Sequence, residues 1–129
     1  MADLVQKKKR PVFYNLSPLN LPLPGLVSIF HRVSGAALFV ALYWILCAFD
    51  ASLSTQREFD VTQAWLSGPL MKLVLLGLAW AYLHHFCAGI RYLILDMDKG
   101  VDLPTARKSS AAVFVVSLAL TLMVGAKLW

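Results

Sequence analysis

The chain has 129 residues, 59% of them apolar and only 15% charged, with a formal net charge of +5 and a mean hydropathy of +0.67. A soluble domain carries about 45–50% apolar and about 25% charged residues, so this composition excludes an ordinary small soluble core. The basic balance needs no nucleic acid, because basic loops beside a membrane account for it.

Residues 1–25 read as a polar lead-in. Pro11, Pro18, Pro22 and Pro24 forbid a continuous helix there. The opening string MADLVQKKKRPVFYNL does not read as a signal or transit peptide. Its basic cluster Lys7, Lys8, Lys9 and Arg10 runs into Pro11 and not into a short apolar segment with a cleavage site. The expectation is a chain complete as it stands, in a bacterial inner membrane.

A first spanning helix is expected over 26–52, entered at Gly25 and containing the uncharged run 33–49. A loop follows over 53–67, carrying Arg57, Glu58 and Asp60, with at most a short amphipathic turn near Trp65. The second helix is expected over 68–95, started by Gly68 and Pro69 and built on the uncharged run 73–90. A polar loop broken by Gly100 and Pro104 covers 96–108, and the third helix fills 109–129 around the run 109–126. Each run is close to the roughly 20 residues that cross a ~30 Å hydrocarbon layer, and in lipid such a run must satisfy its own amides as a helix. The fold expected is therefore an all-α membrane protein of three transmembrane helices. Cys47 and Cys87 stand 40 positions apart, each in an apolar run, a spacing that fits no disulfide framework or metal knuckle.

Lys and Arg divide nine to three between the two sides. Lys7, Lys8, Lys9, Arg10, Arg32, Arg91, Lys99, Arg107 and Lys108 fall on one side, and Arg57, Lys72 and Lys127 on the other. By the positive-inside rule the N-terminus is cytoplasmic and the C-terminus periplasmic.

Ionisable groups inside a span are costly and usually face a partner, a cofactor or water. His85 lies ten residues before Leu95, roughly 15 Å inside the helix end at 1.5 Å per residue, near mid-bilayer. Its helical face runs through Leu78, Ala81, Gly89, Tyr92 and Asp96, and Gly89 leaves room for a flat macrocycle. An imidazole nitrogen there suits a haem axial ligand, or a hydrogen bond to a neighbouring helix. His84 competes for the same role. On the first helix Ser28 and Arg32 share a face beside His31. A hydroxyl and a guanidinium suit the carbonyl oxygens of a quinone, and His31 with Arg32 suit haem propionates. An arginine this near the boundary also reaches lipid phosphates by extending along the helix.

The strings RPVFYNLSPLNLPLPGLVSIFHRVSG and HFCAGIRYLILD resemble the two signature stretches of the succinate dehydrogenase cytochrome b subunit family. The first is met by Arg10, Pro11, Val12, Ser28, His31, Arg32 and Ser34, and the second by His85, Gly89, Ile90, Arg91 and Asp96. The resemblance implies that His85 is the axial ligand of haem b, since only it has glycine four residues later. It implies a quinone pocket at Ser28 and Arg32, a propionate side at His31 and Arg32, and outer positions at Arg91 and Asp96, which serve packing or loop anchoring as well. The haem is then shared with a second small hydrophobic anchor subunit, which brings the other histidine. An iron–sulfur subunit and a flavoprotein that oxidises succinate complete the complex, with ubiquinone as electron acceptor. Two other readings are an anchor of a quinol:fumarate reductase and a structural anchor without redox cofactor.

Overall fold

The computed structural model describes residues 21–129, which form four helices: α1 (Leu23–Ser54), α2 (Gln56–Leu66), α3 (Pro69–Asp96) and α4 (Leu103–Leu128). Among the described residues there is no β-strand. Three helices, α1, α3 and α4, are long and apolar enough to cross a membrane. The lead-in before residue 21 lies outside the described residues.

Proline marks all three spanning starts. Pro24, Pro69 and Pro104 sit in the first turn of α1, α3 and α4, where the missing amide would have had no intrahelical partner. Two of these prolines read as breakers in sequence, and both helices consequently start earlier than expected, at Leu23 and Leu103. At α4 the Asp102 carboxylate accepts hydrogen bonds from the Thr105 amide (3.0 Å) and hydroxyl (2.8 Å). Those bonds hold the Asp102 carboxyl below the usual carboxylate range. The cap therefore stands at neutral pH and weakens only as pH falls through that lowered value.

The segment expected as a loop over 53–67 contains α2, eleven residues long. Thr55 accepts a hydrogen bond from the Glu58 amide at 3.2 Å, an N-cap with an acid in the first turn. Gln56 donates to Asp60 across one further turn (2.8 Å). α2 lies mainly against α1 and is too short to cross a bilayer.

The spanning helices form a bundle in which α3 packs against both α1 and α4. Its interior is built from small and polar residues. The buried face of α4 is Ser110, Val113, Ser117, Thr121 and Gly125, spaced three or four apart. Across from it α3 buries Ala81, His84, Ala88 and Arg91. Small side chains let the backbones approach, which is what drives helix association in lipid, where burying apolar groups gains little. The hydroxyls cost nothing in this setting because each bonds its own helix: Ser110 to the Ala106 carbonyl (2.7 Å), Ser117 to Phe114 (3.1 Å) and Thr121 to Ser117 (2.7 Å). Large apolar side chains point outward instead, with Phe39 78% and Trp44 67% exposed. That inversion suits a lipid surround. Cys47 is exposed and Cys87 half-buried, both free thiols.

The start of α1, the end of α3 and the start of α4 share one end of the bundle. His31 lies eight residues into α1 and His85 eleven residues before the end of α3. At 1.5 Å per residue both sit roughly 12–16 Å below that end.

Candidate functional site

His85 faces α1. Its ring stacks on His31 with centroids 4.1 Å apart and planes 10° from parallel. Nδ1 lies 3.0 Å from the His31 carbonyl oxygen and 3.3 Å from Ser34 Oγ. Ser34 is buried and its hydroxyl reaches the same carbonyl at 3.0 Å. A carbonyl only accepts, so the proton belongs on Nδ1, which donates to His31 O. Nε2 then keeps its lone pair, the tautomer that a ligating imidazole uses.

The close approach of α1 and α3 depends on Gly35. A Cβ built there would stand 2.9 Å from His85 Cε1, closer than real contacts allow. Gly89, the small residue expected to leave room beside His85, faces His31 instead, with its notional Cβ 3.7 Å from His31 Nε2. Gly35 was not singled out from sequence. Its signal was available only as a glycine two turns above Ser28 on an apolar helix, and nothing in that pattern says which ring it faces.

The two histidines of α3 part company. His84 is fully buried, its ring centroid 5.1 Å from Phe114, 5.2 Å from Trp80 and 5.9 Å from Phe30. Neither of its nitrogens, nor Trp80 Nε1, has a hydrogen-bond partner among the described residues. An imidazole enclosed by three aromatic rings has no open side for a ligand. His85 is half-buried at the α1–α3 face.

Ser28 and Arg32 come together one turn apart on α1. Arg32 Nη2 is 3.4 Å from Ser28 Oγ, and Nε is 3.3 Å from the Ser28 carbonyl. Arg32 is exposed and Ser28 half-buried, so hydroxyl and guanidinium present donors to the same space outside the bundle. Arg91 turns the other way. It is buried against α4, donating from Nε to Ser109 Oγ (2.9 Å) and from Nη2 to the Ala106 carbonyl (3.4 Å). Among the described residues its link toward the histidines runs through Tyr92, whose ring lies 5.5 Å from the Arg91 guanidinium and 5.2 Å from the His31 ring. Asp96 is the last residue of α3 and is exposed.

Among the described residues no three histidine, cysteine or acidic side chains gather as a metal-ion site. A single imidazole with one nitrogen anchored and the other without a hydrogen bond among these residues fits a group that brings most of its own ligands.

The family model for the succinate dehydrogenase/fumarate reductase transmembrane subunit matches residues 6–124. The chain belongs to this family. Within it, the succinate dehydrogenase cytochrome b556 subunit of Paracoccus denitrificans is 31% identical over 127 residues, covering 95% of this chain and 94% of that protein. The subunit of the same name from Coxiella burnetii is 32% identical over 124 residues, covering 94% and 98%. The mitochondrial cytochrome b560 subunit of Sus scrofa is 28% identical over 112 residues. As a member of the transmembrane subunit family with three long apolar helices, the protein is a multi-pass membrane protein. The match spans both the α1 segment bearing Ser28, His31 and Arg32 and the α3 segment bearing His85.

Proposed function

We propose that this chain is the haem b-binding anchor subunit of a succinate dehydrogenase and forms part of its quinone-reduction site. The observation that carries the reading is His85, whose Nδ1 is tied to the His31 carbonyl at 3.0 Å while Nε2, at a half-buried face, makes no hydrogen bond among the described residues. The cytochrome b names of the relatives supply the group that such a nitrogen would hold. Bound there, haem supplies a one-electron store close to the quinone site, and the protein supplies placement and electrostatics. His31 and Arg32 would meet the propionates. A second imidazole to hold the haem would come from another small hydrophobic anchor subunit.

Quinone reduction needs two electrons and two protons, and yields a quinol. Ser28 donates a hydrogen bond to one quinone oxygen and fixes its position. Arg32 stabilises the negative charge that grows on that oxygen as electrons arrive, the same work as any preorganised anion site. Arg32 already leans on Ser28 at 3.4 Å, so the pair is set before ubiquinone enters. Arg91, through Tyr92, and Asp96, at the end of α3, stand one layer behind. Electrons reach the quinone from an iron–sulfur subunit, which a succinate-oxidising flavoprotein feeds. The nine-to-three division of basic residues supports a reading in which this end of the bundle is cytoplasmic and the C-terminus periplasmic, in a bacterial inner membrane. The family description covers both reaction directions, while the relatives are named for succinate dehydrogenase.

Purification through a tag on this chain tests the reading. The expected result is a complex that reduces ubiquinone on addition of succinate and shows a b-type band in its reduced-minus-oxidised spectrum. A complex without that band, or with the band unchanged in His85→Ala, overturns the ligand assignment.

A further inference from the structure

A cavity of about 350 Å³ opens between the C-terminal half of α3 and the first turns of α4. Its α3 residues Cys87, Ile90, Arg91, Ile94 and Leu95 lie roughly 140–280° around the helix from His85, so this cavity is separate from the histidine face. Cys87, Ile90 and Ile94 make an apolar wall, and Ile90 and Ile94 are 44% and 47% exposed along it. Its head is basic, with Arg91 and Lys99 both lining it.

Arg91 is only 7% exposed, yet its bonds to Ser109 and Ala106 use Nε and Nη2. Nη1 makes no hydrogen bond among the described residues. A guanidinium has five N–H donors, and donors left unpaired at membrane depth are costly. The depth itself is informative. Arg91 is five residues before the end of α3, roughly 7 Å down, where the ~5–7 Å headgroup layer meets the hydrocarbon. The α4 N-terminus is not the attraction, because the Asp102 carboxylate already caps it.

We propose that this cavity binds one anionic phospholipid, with its phosphate on Arg91 and Lys99 and an acyl chain along Cys87, Ile90 and Ile94. Arginine suits a phosphate because its fork donates two parallel hydrogen bonds, and a flexible lysine at the mouth adds a second positive charge. The exposed apolar wall selects a lipid over a free phosphate ion, which would leave it uncovered. Basic clefts between spanning helices at the cytoplasmic end recognise such headgroups by the same chemistry.

The test is native mass spectrometry of the detergent-solubilised chain with the subunits that purify with it. It is titrated with dioleoylphosphatidylglycerol, with dioleoylphosphatidylcholine and with inorganic phosphate. Lys99→Gln, at an exposed residue outside the helix contacts, is expected to weaken one phosphatidylglycerol site about fivefold and leave phosphatidylcholine unchanged. Ile94→Trp is expected to block that site by filling the wall. Equal affinity for the two lipids, or no change in Lys99→Gln, overturns the proposal. Displacement of the lipid by inorganic phosphate overturns the lipid assignment in favour of a free anion.

Discussion

The His31 carbonyl accepts a hydrogen bond from His85 Nδ1 at 3.0 Å, so one α1 residue both stacks on the α3 imidazole and orients it. The backbone, unlike a side chain, has no alternative rotamer here. His85 is therefore aimed by the position of α1, and anything that shifts α1 against α3 shifts Nε2.

The two neighbouring histidines are expected to answer differently to the same substitution. His85→Leu should abolish the b-type spectrum. His84→Leu should keep it and leave thermal stability unchanged or raised, because it replaces a buried imidazole without partners by an apolar group of similar size. Difference spectra and thermal inactivation of the purified complexes check both. Loss of the spectrum in His84→Leu alone would reverse the assignment.

Gly35 and Gly77 make a second contrast. Gly35→Ala puts a methyl group 2.9 Å from His85 Cε1, so the ring or the helix must move. A shifted haem potential or a smaller b-type band is expected, with the complex still assembled. At Gly77 a Cβ meets nothing within 4 Å among the described residues. Gly77→Ala should be neutral or stabilising by about 0.5–1 kcal/mol, since alanine suits a helix interior better. Redox titration separates a moved ligand from a loosened bundle.

Ser28→Ala and Arg32→Leu should each lower succinate-driven quinone reduction by about tenfold or more, as expected for losing a hydrogen bond with charged character in the reacting state. Succinate oxidation by an artificial dye should persist. If both activities fall together, the residues serve assembly and not the quinone.

Arg91→Leu should destabilise the packing of α3 on α4 by about 1–3 kcal/mol, through loss of the bonds to Ser109 and Ala106. The absorption spectrum of the complex that does assemble should be unaltered, because Arg91 lies on the α4 side. Arg91→Lys should recover part of the lost thermal stability. An altered spectrum at normal stability would place Arg91 nearer the haem than its contacts indicate.

Much of the architecture is legible in one dimension. Uncharged runs near the length of a bilayer crossing dictate spanning helices, because lipid offers no partner for a free amide. Helix ends read less well, since Pro24 and Pro104 look like breakers and act as first-turn residues. α2 is harder to read, since Thr55 and Glu58 carry a capping signal while Arg57, Glu58 and Asp60 together resemble a polar loop.

The order of residues alone dictates three membrane-crossing helices and a shared face for Ser28 and Arg32, since both follow from local period and solvation. It also placed His84 and His85 at one depth, but residue-level chemistry could not separate them. Helix packing walls one imidazole in with Phe30, Trp80 and Phe114 and lays the other under the His31 carbonyl. It also turned Arg91 to α4 and made Gly35 the close contact. These outcomes depend on how α3 is rotated against its neighbours. That rotation is set by the small-residue face of α4 and the approach of α1, which no single helix specifies alone.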